Sequence, residues 1–576
     1  MTITKLPVHH AWWKESNVYQ IYPASFKDSN GDGIGDIPGI ISELDYIAGL
    51  GVDIVWLCPC YKSPQVDMGY DISDYKDIYE KYGTLSDIDE LASGLHKRGL
   101  KFVMDLVVNH TSDQHAWFQS AISSKDSEYR DWYIWKKPKY DSDGTRLPPN
   151  NWISCFGGSA WEYDAESDEY YLHLFAKEQP DLNWENPHVR AAVHDIMRFW
   201  LDRGVDGFRL DVINFISKDP AMPDAPITNP SSKYQRGDMY YATGPRLHEY
   251  LQGLGQILKE YDAFSVGEMP CVFDPSEIIN AVGFSRNELS MIFQFEIVDL
   301  DHASTGKYKP RTWALTELKK IVNKWQTFMQ VNDGWNALYL ENHDQARSVS
   351  RFASDAPAVR KVAAKMLATF LGFQSGTIFV YEGQELGLAN VPTTWGVDKY
   401  RDLESLNNYH ENVAAGASKE ELASILAEMQ KKARDNARVP MQWDSSDYAG
   451  FSTVTPWMDV NEDYKEWNAR SQENDPSSVY AHWQSIFRLR REFKDVLVYG
   501  KFILLDPLNE SVFAYKRVYG STEALIVTSF KDSEVTWAVP SEYVNSGKML
   551  LTNYDRSELT GEIVLKPFEA LVWLVQ

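Results

Sequence analysis

Three acids end apolar runs that read as buried strands. The run "VDGFRLDV" (205–212) carries Arg209 and Asp211, and "AFSVGEM" (263–269) carries Glu268. A third, "WNALYLENH" (335–343), leads through Glu341, Asn342 and His343 to Asp344, while "KFVMDLVVNH" (101–110) ends in Asn109 and His110. Burying several carboxyls together is costly unless they are paired or put to use. One such acid alone is more often a cap or a salt-bridge partner, but three converging from different strands on one rim point to a shared task. Paired carboxylates suit glycoside hydrolysis, in which one acid protonates the leaving oxygen and another attacks the anomeric carbon or activates water. Arg209 precedes Asp211 by two residues, so on a strand both face the same side. Its guanidinium is expected to keep Asp211 ionised, as a nucleophile must be. Glu268 follows an apolar run, and burial there is expected to raise its pKa, as a general acid requires.

A second candidate centre is the oxygen-rich loop "DSNGDGIGD" (28–36). Asp28, Asn30 and Asp32 alternate and Gly33 follows, as in the first half of an EF-hand loop. That pattern needs a glutamate six residues after its glycine, and Gly39 stands there. The preceding "VYQIYP" (18–23) also reads as a strand, where an EF-hand needs a helix. Hard oxygen donors remain at Asp28, Asn30, Asp32 and Asp36. On spacing alone, a solvated Asp/Gly turn explains them equally well.

These residues need elements to hold them. Eight strand candidates occur in order: 18–23, 52–59, 101–110, 205–212, 263–269, 291–297, 335–343 and 377–383. Helical patterns lie between them. In residues 188–203, Val189, Val193, Ile196, Met197, Trp200 and Leu201 recur at spacings of three and four. Repeated β–α units imply parallel strands with right-handed crossovers, and eight units match a closed (β/α)8 TIM barrel, an α/β fold whose active sites lie at the C-terminal strand ends. The barrel is expected to use residues 1–110 and 181–497. Residues 111–180, rich in Trp, Tyr, Gly, Pro and Asn, are too long for a plain connection and read as a small inserted domain after the third strand. A further subdomain is expected at roughly 386–440, with a helix near 418–432. From 498 to 576, successive strands separated by turn residues read as an antiparallel β-sandwich.

Bulk properties narrow the partners. The net charge of −25 opposes nucleic acid, whose phosphates would be repelled, but costs a neutral sugar nothing. No apolar run reaches 18 residues, so no membrane span is expected. The opening "MTITKLPVHHAWWKES" does not read as a signal peptide. Four cysteines are too few for a disulfide framework and are expected to be reduced thiols, which together with the missing span and leader suggests a cytoplasmic protein; a monomer is expected. The acid pairs Asp87 with Asp89 and Glu420 with Glu421 read as solvated helix surface. Trp132, Tyr133 and Trp135 fit either a pocket mouth or core packing.

The ordered segments "DLVVNH", "GFRLDVINF", "VGEM" and "ENHD", with "QPDLNW" (179–184), resemble the signature segments of the α-amylase family of glycoside hydrolases. "QIYPASFKDSNGDGIGDIPGI", "PPNNWISCFGGSAW" and "RDNARVPMQW" extend the resemblance over nearly the whole chain, nearest to its oligo-1,6-glucosidase and α-glucosidase subfamily. The resemblance implies a retaining, exo-acting α-glucosidase acting on a small oligosaccharide or disaccharide. Asp211 would be the nucleophile, Glu268 the acid/base and Asp344 the transition-state stabiliser. His110, Arg209 and His343 would line the glucose subsite, with Asp71 and Arg434 paired to close its far end. The resemblance also implies one structural calcium ion, with magnesium as the alternative, held by Asp28, Asn30, Asp32, the Ile34 carbonyl and Asp36; no organic cofactor is implied. Val212, next to the nucleophile, goes in such relatives with α-1,6 linkages. Maltase, sucrose isomerase or transglucosylase activity is the nearest alternative, and a non-catalytic transporter subunit a distant one.

Overall fold

The computed structural model describes residues 9–272, 274–303 and 306–576, so the opening segment weighed for a leader lies partly outside it. Eight parallel strands close into a barrel. They are β1 (Asn17–Ile21), β2 (Ile54–Leu57), β3 (Lys101–Leu106), β4 (Gly207–Leu210), β5 (Phe264–Glu268), β6 (Met291–Phe293), β7 (Asn336–Leu338) and β8 (Thr377–Tyr381). Closure is made by β8 pairing in parallel with β1. All eight are the strands expected from sequence. β2 (IVWL) and β8 (TIFVY) are buried throughout, as strands covered on both faces must be, and their β-branched and aromatic residues suit that setting.

The crossover helices follow their apolar spacing. Pro187–Asp202 buries Val189, Val193, Ile196, Met197, Trp200 and Leu201. It begins where Asn186 caps the His188 amide and Pro187 fits the first turn. Between β3 and β4 lies a three-stranded antiparallel sheet in the order Trp135–Lys136, Glu169–Leu172, Trp161–Asp164. After β8 come helices Leu403–Ala414 and Lys419–Lys432. The C-terminal part has a five-stranded antiparallel sheet ordered 501–505, 512–519, 522–529, 570–575, 548–552, with Val535–Ala538 paired to Glu562–Leu565 beside it. The last of these, "EIVL", has only four residues, of which Ile563 and Leu565 are buried, and was not visible as a strand in the sequence.

Two surface expectations change. Asp87 and Glu421 are not merely solvated: each completes a capping box, with Thr84 and Ser418, because an acid at the third helical position can reach back to the cap amide. Asp89 pairs with Arg203 at 2.8 Å. The aromatic trio belongs to the core of the insertion. Tyr133 is buried and bonded to Thr111 Oγ1 at 2.8 Å, Trp132 packs on Trp117, and the Arg130 guanidinium lies 3.3 Å over Trp135.

Not every buried acid here is partnered. Glu382, just past β8, accepts a hydrogen bond from the Tyr22 amide at 2.8 Å, while its Oε1 has no partner among the described residues. Burial drives its pKa well above the ordinary 4.5. The native state therefore keeps the proton that the unfolded chain releases, and stability falls as pH rises from about 4.5 towards the raised value. Glu382→Gln removes this loss. Its thermal midpoint should exceed that of the parent at pH 8, by roughly 1–3 kcal/mol of unfolding free energy, and match it near pH 4.5. A lower midpoint at pH 8 would show that the carboxyl is favourable where it stands.

Candidate active site

The barrel register aligns Arg209 of β4 directly with Asp105 of β3. Arg209 is fully buried, and three carboxylates meet its guanidinium. Asp105 Oδ1 lies 2.5 Å and Asp211 Oδ1 2.8 Å from Nη1, and Glu268 Oε1 lies 2.6 Å from Nη2. The Glu268 contact is close but not aligned as a hydrogen bond, so Nη2 and Nε count as unpaired donors among the described residues. Asp105 is also held by Trp56 Nε1 at 2.7 Å.

One cation thus serves three acids: Arg209 favours the ionised form of Asp211, as expected from sequence, but only in part offsets the burial of the group. Burial pushes Asp211 up to about 7 and Glu268 up to about 7, and Asp105 up to about 6, against the partial relief from Arg209. Asp211 and Glu268 also repel each other's charge. Such a pair titrates as a unit, and near neutrality it holds about one proton between two carboxyls.

Asp344 has the opposite setting. Burial alone would raise it, but the charges of His343, Arg434, Arg438 and Arg209 outweigh that and hold it well below the usual carboxylate range. Arg438 Nη2 and Arg434 Nη1 reach its Oδ1 at 2.8 and 3.2 Å. His343 is fully buried, and burial lowers its pKa to about 3, so it is neutral at pH 7 and the arginines carry the effect. With Gln20 Nε2 donating to His343 Nδ1 at 2.8 Å, the ring proton sits on Nε2, 2.6 Å from Tyr70 Oη. Tyr70 stacks on the same imidazole, with centroids 5.3 Å apart. Its carbonyl lies 3.2 Å from His110 Nε2, whose ring burial brings down to about 4.

The structure therefore joins Arg209, Asp211, Glu268, His110, His343, Asp344 and Arg434 in one network. Asp71 is not part of it. Its Oδ1 accepts from the Asp67 amide and Ser63 Oγ, each at 3.0 Å, and its Oδ2 from the Val66 amide at 2.9 Å. The hydrogen bonds it accepts among the described residues all come from its own loop. Arg434 pairs instead with Asp67 at 3.3 Å, with Asp402 at 2.6 Å and with Asp344. Two aspartates four residues apart in a loop are indistinguishable by type, and only the chain path separates them. Sequence reasoning also passed over Asp105, Tyr70, Asp67, Asp402 and Arg438. Asp105 did leave a signal, a charge inside the apolar run "KFVMDLVV".

Val212, two residues past β4, lies in the left-handed region, with φ 33° and ψ 43°. A branched residue there is an outlier, and it turns the chain out of the strand direction. Its side chain packs in a cluster with Trp152, Phe215 and Tyr241.

The loop 28–36 lies apart from these acids. Asp28 Oδ1 accepts from the Asn30 and Gly31 amides, and Oδ2 from the Gly33 amide and Ser452 Oγ. Asp36 caps the helix Ile37–Ser42, and Asp32 Oδ2 lies 3.8 Å from Lys81 Nζ. Among the described residues no three Asp, Glu, His or Cys side chains converge as a metal site. The donor chemistry still fits calcium: hard oxygens only, with the Ile34 carbonyl accepting no hydrogen bond among the described residues.

A parallel eight-stranded barrel with carboxylates gathered at its strand ends defines a class, the barrel glycoside hydrolases. Comparisons agree. The family description "Alpha amylase, catalytic domain" matches residues 20–500. The α-glucosidase of Schizosaccharomyces pombe is 53% identical over 565 residues, 97% of each chain. The oligo-1,6-glucosidase of Parageobacillus thermoglucosidasius is 49% identical over 99% of this chain and 100% of its own. The crystal structure of isomaltulose synthase from Erwinia rhapontici NX5 superposes with a TM-score of 0.92 at 40% identity, over 99% of this chain and 100% of its own. The chain belongs to the α-amylase family of glycoside hydrolases.

The reassigned pair is open to test. Asp67→Ala should reduce kcat/KM roughly tenfold or more by removing one of the carboxylates that position Arg434, with a small change in Tm because Asp402 and Asp344 still hold it. Asp71→Ala strands buried amides and should lower unfolding free energy by about 1–3 kcal/mol for each. The reverse ranking in thermal melts and kinetics would restore Asp71 as the partner.

Proposed function

We propose that this chain is a retaining exo-α-glucosidase that releases glucose from the non-reducing ends of short α-glucosides, with α-1,6 linkages preferred. The observation that carries this reading is the carboxyl pair on Arg209, two groups sharing one proton at neutral pH. Asp211, hydrogen-bonded to Nη1, attacks the anomeric carbon. Glu268 gives its proton to the leaving oxygen, and then takes one from the water that releases glucose. Two carboxyls gripping one guanidinium are close together, which suits direct attack better than an interposed water. Asp344, held ionised by two arginines, faces the sugar hydroxyls and the positive charge that develops on the ring. Arg434, drawn in by Asp67 and Asp402, walls off one end of the cleft, which favours exo action.

Activity should follow a bell-shaped pH profile centred near 7, from the values of about 7 for both carboxyls. Below that window both are protonated and the nucleophile is lost; above it both are ionised and the acid is lost. Asp211→Asn should cost several orders of magnitude in turnover, and wild type should release α-glucose first, read by NMR. First-formed β-glucose would rule out the double displacement.

A specific observation favours a second reading: a relative at 53% identity is named simply α-glucosidase, so α-1,4 bonds are the rival substrate. Val212 is the residue we assign to this choice, because its left-handed turn follows the nucleophile directly. A single branched side chain is worth roughly 10–200-fold in selectivity. Val212→Thr should shift the kcat/KM ratio of isomaltose to maltose towards maltose. An unchanged ratio would make Val212 a packing residue only.

We also propose one structural calcium on the loop 28–36, held by Asp28, Asn30, Asp32, Asp36 and the Ile34 carbonyl, where it would tie the loop to β1. Chelation should then lower Tm by mass action on the native state and leave turnover at moderate temperature intact. A Tm indifferent to EDTA and added calcium would leave the hydrogen bonds as the loop's sole support. Four free thiols support a reducing, cytoplasmic location.

A further inference from the structure

Asn214 stands three residues after Asp211 and is fully buried. Its Nδ2 donates to the Pro270 carbonyl at 2.7 Å and lies 3.3 Å from Thr243 Oγ1. Its own carbonyl accepts from the Thr243 amide at 2.8 Å. Pro270 is two residues beyond Glu268. One amide side chain thus bridges the segments that follow the two central carboxyls.

The bridged backbone is strained. Val212, Thr243 and Cys271 all have left-handed φ, at 33°, 56° and 61°. None is glycine, and such conformations persist only where the surroundings over-determine them. Asn214 bonds to Thr243 itself and to the residue before Cys271, and it lies two residues from Val212.

The two segments are unequally anchored. On the Asp211 side, the Asp211 amide donates to the Leu106 carbonyl at 3.1 Å. Lys218 Nζ, itself paired with Asp181 at 2.9 Å, holds the Phe215 carbonyl at 2.6 Å. On the Glu268 side, among the described residues, the backbone of residues 269–272 receives no hydrogen bond other than the one from Asn214. The remaining polar contacts there fall on the Cys271 thiol, which Arg236 Nη2 approaches at 3.7 Å and which pairs with the Asp238 side chain.

We propose that Asn214 is a positioning residue that holds Glu268 at working distance from Asp211, a role that rests on the functions given to those two acids above. Losing the bridge releases the Glu268 side first, because the Asp211 side keeps its other anchors. The expected defect is therefore in proton donation rather than in attack.

Leaving-group dependence reads that defect. Isomaltose needs its leaving oxygen protonated, whereas α-glucosyl fluoride expels fluoride with little help from an acid. We would compare kcat/KM on both substrates for wild type, Asn214→Ala, Thr243→Val and Glu268→Gln. Asn214→Ala should lose roughly 100-fold on isomaltose, as a misplaced catalytic group does. On the fluoride it should lose less than about tenfold, because proton donation is the contribution removed. The ratio of the two is independent of the fraction of folded enzyme. Thr243→Val removes only the longer contact and should stay within about threefold of wild type on both. Equal losses of Asn214→Ala on the two substrates, or near-wild-type activity on isomaltose, would overturn the proposal. So would failure of both Asn214→Ala and Asn214→Ser to fold, since Asn214 would then support the fold as a whole. Glu268→Gln is the reference: equal losses there would overturn the acid assignment beneath the proposal, and the proposal with it.

Discussion

One guanidinium at the centre of a barrel has to satisfy three carboxylates. Arg209 can approach Asp105, Asp211 and Glu268 because β3, β4 and β5 are adjacent and parallel: Asp105 is level with Arg209, whereas Asp211 and Glu268 each stand two residues beyond that level, towards the C-terminal rim. Its single charge cannot stabilise three anions in so deeply buried a site. The unmet remainder is what lifts the acidities of Asp211 and Glu268 into the neutral range. An enzyme that needs one ionised and one protonated carboxyl side by side obtains both from this shortage. Removing Arg209 would leave the acids with no cation, and a second arginine would ionise them all.

The opposite balance lies a few residues away. Asp344, Asp402 and Asp67 share Arg434, and Arg438 reaches both Asp344 and Asp402. Asp344 and Asp402 are held below the ordinary carboxylate range despite burial, whereas burial raises Asp67 to about 6 against partial relief from Arg434 and Arg438. The two clusters of acids behave differently because the ratio of cations to anions differs, and the fold sets that ratio. The second cluster also brings together distant parts of the chain. Asp67 follows β2, Asp402 caps Leu403–Ala414, and Phe156 of the insertion lies with its ring 5.3 Å from the Arg434 guanidinium. The two insertions meet again where Asn407 Nδ2 donates to the Phe156 carbonyl at 3.3 Å.

Strain is concentrated beside the same residues. Val212 leaves β4 through a backbone conformation that valine resists, and this turn is what allows the chain after the nucleophile to fold back into the short helix Ile213–Phe215. The buried rings of Trp152, Phe215 and Tyr241 hold it there. On the Asp211 side the rim is thus supported by side-chain packing beyond the end of the sheet.

Periodicity was sufficient for the architecture. Eight apolar runs, each of strand length and separated by helical spacing, have few ways to bury themselves other than a closed parallel barrel, and the acids at their ends necessarily gather on one rim. Residue type and order also placed Asp211, Glu268 and Asp344 together. Identity of partners was a different matter. That Arg434 takes Asp67 rather than Asp71 depends on the path of one loop, which hydrogen bonds of the Val66 and Asp67 amides to Asp71 decide. That Arg209 only partly offsets the burial of Asp211 depends also on Asp105, a residue over a hundred positions away that only the strand register brings opposite Arg209. Local sequence dictates which groups are available and which way a strand points them. Acidity depends on how many charges crowd one another in a volume without water, and that count exists only once the chain has folded.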